Sequence, residues 1–160
     1  MAKLSDLKLS YRIYMHAYRY RRLDWRPGAV LEMPLSHSKI AVVTTAAFFC
    51  PDQLPFDETI RGGDYSFREI PVDTNLSALG IAHKSDAFDS LGVEADKNLA
   101  LPLDRLRELA AEGKIGDVAP RHFSLIGSIS APARLLKFTA PEIVRKLAED
   151  RVDAVLLTPV

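Results

Sequence analysis

The 160 residues are 48% hydrophobic, enough for one globular domain with a substantial core. Lys and Arg (21) balance Asp and Glu (21), so the formal net charge is zero and there is no electrostatic case for a nucleic-acid partner. No apolar run approaches the roughly 20 residues that cross a bilayer, and the N-terminus lacks the apolar core of a signal peptide, so the expected compartment is the cytoplasm with no membrane contact.

Residues 1–26 lean basic (Lys3, Lys8, Arg12, Arg19, Arg21, Arg22 and Arg26 against Asp6 and Asp24), which reads as a solvated helix face. Within it Tyr11, Tyr14, Met15 and Tyr18 recur at helical spacing after Ser10, a candidate N-cap. The spacing predicts an amphipathic helix over residues 10–22 with the tyrosines as packing residues. Trp25, Pro27 and Pro34 break the pattern, and the β-branched run Ile40, Val42 and Val43 predicts a central strand over 39–45. Residues 46–64 carry Pro51, Pro55 and Gly62-Gly63, so a long loop follows that strand in place of a helix; such loops are commonly functional.

A short strand is expected over residues 67–72 and another strand or turn over 79–83, before a polar, irregular stretch over 86–101. Pro102 suits a first helical turn, with Leu103, Leu106, Leu109 and Ala110 on one face and Gly113 as the stop. Residues 123–129 read as a strand ended by Ser130 and Pro132. Thr139-Ala140-Pro141-Glu142 has the form of a capping box before the stripe Ile143, Val144, Leu147 and Ala148, and residues 152–160 read as a buried final strand. Strand, helix and strand in that order make a parallel βα unit. In such sheets the carboxyl ends of the strands carry the chemistry.

Three groups of residues could act there. Gly62-Gly63-Asp64-Tyr65-Ser66-Phe67-Arg68 is either a glycine turn fixed by an Asp–Arg pair, the simpler reading, or an anion site with Arg68 as a bidentate donor. His83, Asp86, Asp89, Asp96 and Asn98 combine a general base, carboxylates and an amide; the bland alternative makes Asp89 and Asp96 turn caps and sets Asn98 to satisfy loop backbone near the Pro102 helix. Cys50 is the only cysteine, so the chain holds no intramolecular disulfide and no multi-cysteine metal site, and it reads more simply as buried than as a nucleophile. No GxGxxG, Walker, HExxH or GxSxG motif is present, and Thr44-Thr45-Ala46-Ala47 stands where a nucleotide-binding strand end would carry glycines.

From Gly62 to Val160 the chain resembles the selenoprotein B component of the glycine/sarcosine/betaine reductases and the related D-proline reductase subunit. The matching segments are Gly62 to Pro71, Ile81-Ala82-His83, Asp96-Lys97-Asn98, Pro102 to Leu109, Glu112 to Gly116, His122 to Ile129 and Val152 to Val160, with Trp25-Arg26-Pro27 and Val42 to Thr45 upstream. The resemblance implies a redox-active selenocysteine, or a cysteine in its place, immediately after Val160 at the start of a helix. No catalytic residue then lies within the chain, which is expected to be cut short at that position, without its C-terminal helix and without a cofactor or metal of its own. It further implies reductive cleavage of a small amino-acid-like substrate, a pyruvoyl-bearing partner subunit and a thioredoxin-like dithiol donor. Asp64, Arg68 and Asn98 become candidate substrate-binding residues and His83 an accessory one, all expected near the carboxyl ends of the first and last strands.

The expectation is therefore a single α/β domain over residues 1–160 with a mostly parallel, Rossmann-like sheet, serving as a selenocysteine- or cysteine-dependent reductase subunit. The competing expectation is a non-catalytic domain of the same fold that binds a small anion or a partner through the Gly62 to Arg68 loop.

Overall fold

The β-branched run at Ile40, Val42 and Val43 forms the central strand β1 (Lys39–Thr44) in a computed structural model that describes residues 8–17, 24, 28–83, 90–127 and 129–160. Two compact units divide the chain, Met1–Val30 and Leu31–Val160. The first contains α1 (Leu9–Ala17). Its first intrahelical bond runs from the Arg12 N–H to the Lys8 carbonyl, which places Ser10 inside the first turn and not at its cap. Tyr14 is more than half exposed; Tyr18 and the Tyr11 side chain lie outside the described residues.

In the second unit β1 is flanked on both sides by parallel strands. Ile40 to Thr44 pair in register with Ala154 to Thr158 of β7 (Ala154–Thr158). Across the other edge, Lys39 and Ile40 pair with β5 (Asp117–Val118), and Val43 and Thr44 with β6 (Arg121–Ser124). Ala119 and Pro120 interrupt this edge, and Pro120 has no N–H to offer a ladder. Strand β3 (Arg68–Pro71) adds to β6 in antiparallel sense, so the sheet is mostly parallel with one antiparallel strand. The long loop after β1 is present. It contains only the two-residue strand β2 (Phe48–Phe49), paired antiparallel with β4 (Gly80–Ile81).

Alternation along β1 decides which helix covers which face. Ile40 and Val42 pack in one cluster with Ile70, Leu101, Leu103, Leu106 and Val118, which places α3 (Leu103–Ala111) on their side. Val43 faces the opposite way, toward Ile143 and Leu147 of α4 (Ala140–Glu149) and Val155 and Leu157 of β7. Helices on both faces of a mostly parallel sheet give the expected α/β layering. On the first face Val42 and Ile70 are fully buried. On the second, Val155 and Leu157 stay partly in water.

Several elements differ from expectation. The strand expected over 123–129 is β6, which begins at Arg121 and ends at Ser124, and the final strand, expected to be buried, leaves Val155, Leu156 and Leu157 exposed. The polar stretch contains a short helix, α2 (Ser90–Ala95), anchored by the buried Val93; six residues are too few to show a helical period. Thr139 does not cap α4. It has helical dihedrals and donates its hydroxyl to the Tyr65 carbonyl, because the helical turns begin upstream and pass through a π-helical turn, Leu135–Thr139. Pro141 explains this geometry, since its ring crowds the carbonyl four residues back and a wider turn relieves the clash.

Candidate functional site

The carboxyl ends of β1, β6 and β7 meet in one row, in which Arg68 pairs with Ser124, Ser124 with Thr44, and Thr44 with Thr158. Threonines fix the end of β7 against β1. The Thr44 hydroxyl donates to the Thr158 carbonyl at 3.3 Å, and the Thr45 hydroxyl accepts the Val160 N–H at 3.0 Å while donating to the Val160 carbonyl at 3.3 Å. The Thr158 hydroxyl in turn donates to the Ala100 carbonyl at 2.7 Å. Val160 is thereby held at both its N–H and its carbonyl by the Thr45 hydroxyl.

His83 comes to the same place. A methyl group added at Gly127 would lie 2.6 Å from His83 Nε2 and 3.4 Å from the carbonyl oxygens of Thr45 and Val160. Glycine at 127 therefore makes room for the imidazole beside the end of β7. Burial is the main reason that the His83 pKa lies below its ordinary 6.5, opposed by the negative charge of Glu58. The ring is accordingly neutral near neutral pH, and a neutral imidazole can take up a proton there and pass it on as imidazolium.

Beside Gly127 lies a cleft of about 410 Å³, lined also by Asp57, Glu58, Arg61, Gly62, Gly63 and Asp64. The two glycines hold φ of +94° and +99°, values costly for any other residue, and a Cβ on Gly62 would meet Ala131 Cβ at 2.8 Å. Asp64 is buried and accepts from the Asp57 N–H (2.9 Å), the Ser66 N–H (2.9 Å) and the Ser66 hydroxyl (2.6 Å). Desolvation, the largest single influence, pushes its pKa up. The Ser66 hydroxyl, the backbone N–H groups of Asp57 and Ser66 and the charge of Arg68 outweigh it and hold the carboxyl below its usual range. Asp64 is thus an ionised brace of the loop that forms the cleft wall.

Arg68 braces the same loop. It donates to the carbonyls of Leu54 (2.7 Å), Pro55 (3.0 Å) and Phe67 (3.0 Å) and to the Ser66 hydroxyl (2.9 Å), and its guanidinium lies 4.3 Å above the Phe56 ring. Asp64 and Arg68 are joined through Ser66, as a fixed turn requires, and most of the guanidinium's donors are occupied by the protein itself.

Asn98 lines a second cavity of about 650 Å³, together with Asp73, Asn75, Asp96, Asp104 and Arg107. Its Oδ1 accepts the Asp104 N–H at 3.1 Å in the first turn of α3, and its Nδ2 donates to Asp104 and Asp96 at 2.9 and 3.1 Å. Of the expected site residues, Asp64 lines the cleft, His83 lies beside Gly127 of its wall, Arg68 is hydrogen-bonded to Asp64 only through Ser66, and Asn98 lines the other cavity, with Ala100 two residues on touching the end of β7. Asp86 and Asp89 lie outside the described residues. Cys50 is buried, and burial is the chief cause of a raised thiol pKa, which disfavours the nucleophilic thiolate. Among the described residues no three His, Cys, Asp or Glu side chains are grouped to hold a metal, and no helix is long and apolar enough to cross a membrane.

Sequence reasoning did not single out Glu58, Thr45 or Gly127. Their signals were present but weak, because a lone glycine or threonine after a strand marks a site only once the strands beside it are known.

Comparison with known proteins adds a family to this geometry. The family model described as glycine/sarcosine/betaine reductase selenoprotein B matches residues 8–160. The chain is 34% identical over 134 residues to D-proline reductase subunit gamma of Acetoanaerobium sticklandii, a match covering 84% of this chain and 52% of that one. It is 36% identical over 130 residues to betaine reductase complex component B subunit beta of Peptoclostridium acidaminophilum, covering 78% of this chain and 28% of that one. Against glycine reductase complex component B subunit gamma of the same organism the identity is 30% over 135 residues, covering 82% and 30%. The chain thus spans about half the length of the first relative and under a third of the other two. No solved structure matches.

Proposed function

The chain belongs to the glycine/sarcosine/betaine reductase selenoprotein B family, and on that premise we propose that it is a reductase-complex subunit cleaving a small amino-acid-like substrate through a selenocysteine or cysteine outside residues 1–160. The observation that carries the reading is the convergence of His83 Nε2 and the carbonyls of Thr45 and Val160 on Gly127, at the carboxyl ends of β1 and β7. A selenol or thiol presented there would supply the nucleophile. Cys50 does not fit that role, being buried with its pKa raised.

The described residues then have definite tasks. Thr45 fixes the end of β7, and Gly127 leaves space over it. His83, neutral and beside that end, takes up the proton of the redox group and, as the imidazolium so formed, hands it to the departing amine. Asp64 and Arg68 keep the cleft wall in place. Cleavage of the C–N bond sends a proton to the amine and consumes two electrons, which a thioredoxin-like dithiol of the cytoplasm returns by becoming a disulfide. A pyruvoyl-containing partner subunit would activate the substrate.

The test is reconstitution. The chain is extended through its downstream reading frame with selenocysteine or cysteine at the next position and combined with a pyruvoyl-containing subunit. Dithiol-dependent amine release from glycine, sarcosine or betaine, or ring opening of D-proline, is expected. Turnover of none of the four would sink the reading, and ligand binding without turnover would favour the small-anion module.

A further inference from the structure

The cleft has negative groups and a positive one in its lining, and only the positive one also borders a second cavity. Asp57 and Glu58 line it together with Gly127. Ile60, Arg61, Gly62 and Gly63 line both the cleft and an adjoining cavity of about 210 Å³ that is walled on its far side by Tyr65 and Arg134. Arg61 and Arg134 are both exposed. Neither has an ion-pair partner among the described residues, whereas the guanidinium groups of Arg68, Arg107, Arg121 and Arg145 are engaged by carbonyls or carboxylates of the protein. The Arg134 guanidinium lies 5.5 Å over the Tyr65 ring, and the Gly62-Gly63 backbone, at positive φ, passes between the two spaces.

We propose that Arg61 and Arg134 form a carboxylate-binding subsite that orients the ligand of the cleft, its carboxylate in the smaller cavity and its other end toward Gly127 and His83. The assignment rests on the cleft being the substrate site. A guanidinium fork matches the planar two-oxygen face of a carboxylate, and two of them can share one such group. Arg68, the arginine that the Gly-Gly-Asp motif first suggests, has given its donors to Leu54, Pro55 and Phe67, so the anion falls to Arg61 and Arg134. A monoanion suits the place better than a dianion, because Asp57 and Glu58 repel the second charge.

The 160-residue chain, labelled with ¹⁵N, is titrated with propionate and alanine, with propionamide and alaninamide as counterparts that lack the carboxylate, and with inorganic phosphate. Shifts of the Gly62 and Gly63 amide resonances are expected with the two carboxylates and not with the amides. Arg61→Gln and Arg134→Gln should each raise the dissociation constant roughly tenfold, the scale of one lost charge-assisted hydrogen bond. Both positions are exposed, so thermal midpoints should hold, and Arg105→Gln should change neither quantity. Amides binding as well as carboxylates, phosphate binding more tightly than propionate, or both variants behaving as the parent would each overturn the subsite. The reductase reading fails separately. Carboxylate binding lost in the variants with no turnover in the reconstituted complex removes the reductase and keeps the subsite; turnover with a KM unchanged by either variant removes the subsite and keeps the reductase.

Discussion

The backbone N–H of Val42 donates to Nδ1 of His122 at 3.0 Å. Val42 stands where β5 has ended and β6 has not yet paired with β1, so the imidazole takes the place of the missing strand carbonyl. Because Nδ1 must present a lone pair to that N–H, the proton of the neutral ring sits on Nε2. That atom is buried without a hydrogen-bond partner among the described residues. Desolvation, followed by the positive charge of Arg107, pushes the His122 pKa down to about 4.

His122 should make the fold acid-sensitive. The unfolded chain, with a pKa near 6.5 at this position, binds a proton that the folded chain refuses until about pH 4. The contribution is present above 6.5 and is lost as pH falls toward 4, by about 3 kcal/mol across that window. Urea midpoints against pH should show the loss, and His122→Phe should flatten it. The same variant leaves the Val42 N–H unpaired and should cost about 1 to 3 kcal/mol at neutral pH. An unchanged acid limb in the variant would assign the sensitivity to other groups.

Much of this framework was legible in the sequence, and the parts that were not share a cause. Ile40, Val42 and Val43 announced β1, and Pro102, Leu103 and Leu106 announced α3, because each is a local repeat that one buried face dictates. Asp117-Val118 and Phe48-Phe49 are two residues long and have no period to detect; they are strands only because β1 and β4 lie beside them. Thr139 had the spelling of a cap, but its hydroxyl goes to Tyr65, far away in sequence. At the site, Gly62-Gly63-Asp64 was legible because positive φ selects glycine. Gly127 was not, since its reason is an imidazole arriving from another loop.

Replacement of Gly127 by alanine should leave the fold standing and displace His83. The added methyl falls 2.6 Å from Nε2, and a side-chain end can move where backbone cannot. With its burial relieved, the His83 pKa should rise toward 6.5, read from imidazole resonances against pH. In a reconstituted complex the displacement should lower kcat by roughly a hundredfold, the usual consequence of moving a catalytic group by about 1 Å. A His83 titration identical to the parent's would show that the two residues are not in contact.

Asn98→Ala should lower stability by about 0.5 to 2 kcal/mol through the lost cap on the Asp104 N–H. Thermal unfolding measures this loss. Its second readout is KM in the reconstituted complex. A purely capping role leaves KM where it was, whereas a several-fold rise would return Asn98 to the substrate-binding set that its sequence motif suggested.

The face between α4 and β7 should govern self-association. Leu157 is 67% exposed and Val144 62% exposed, and both border an apolar groove of about 270 Å³ floored by Val43, Ile143 and Leu147. Burying one such side chain is worth about 1.5 to 3 kcal/mol, so contacts between copies that cover this groove are favoured. A lysine at either position keeps its charge in water and removes the drive. Leu157→Lys with Val144→Lys should therefore reduce hydrophobic-dye fluorescence and shift sedimentation toward the monomer. Because neither side chain contributes much to the folded core, the unfolding free energy from urea titration should change by no more than about 0.5 kcal/mol per substitution. A large drop in midpoint, with dye binding unchanged, would mean that these residues are buried in solution and that the groove is closed.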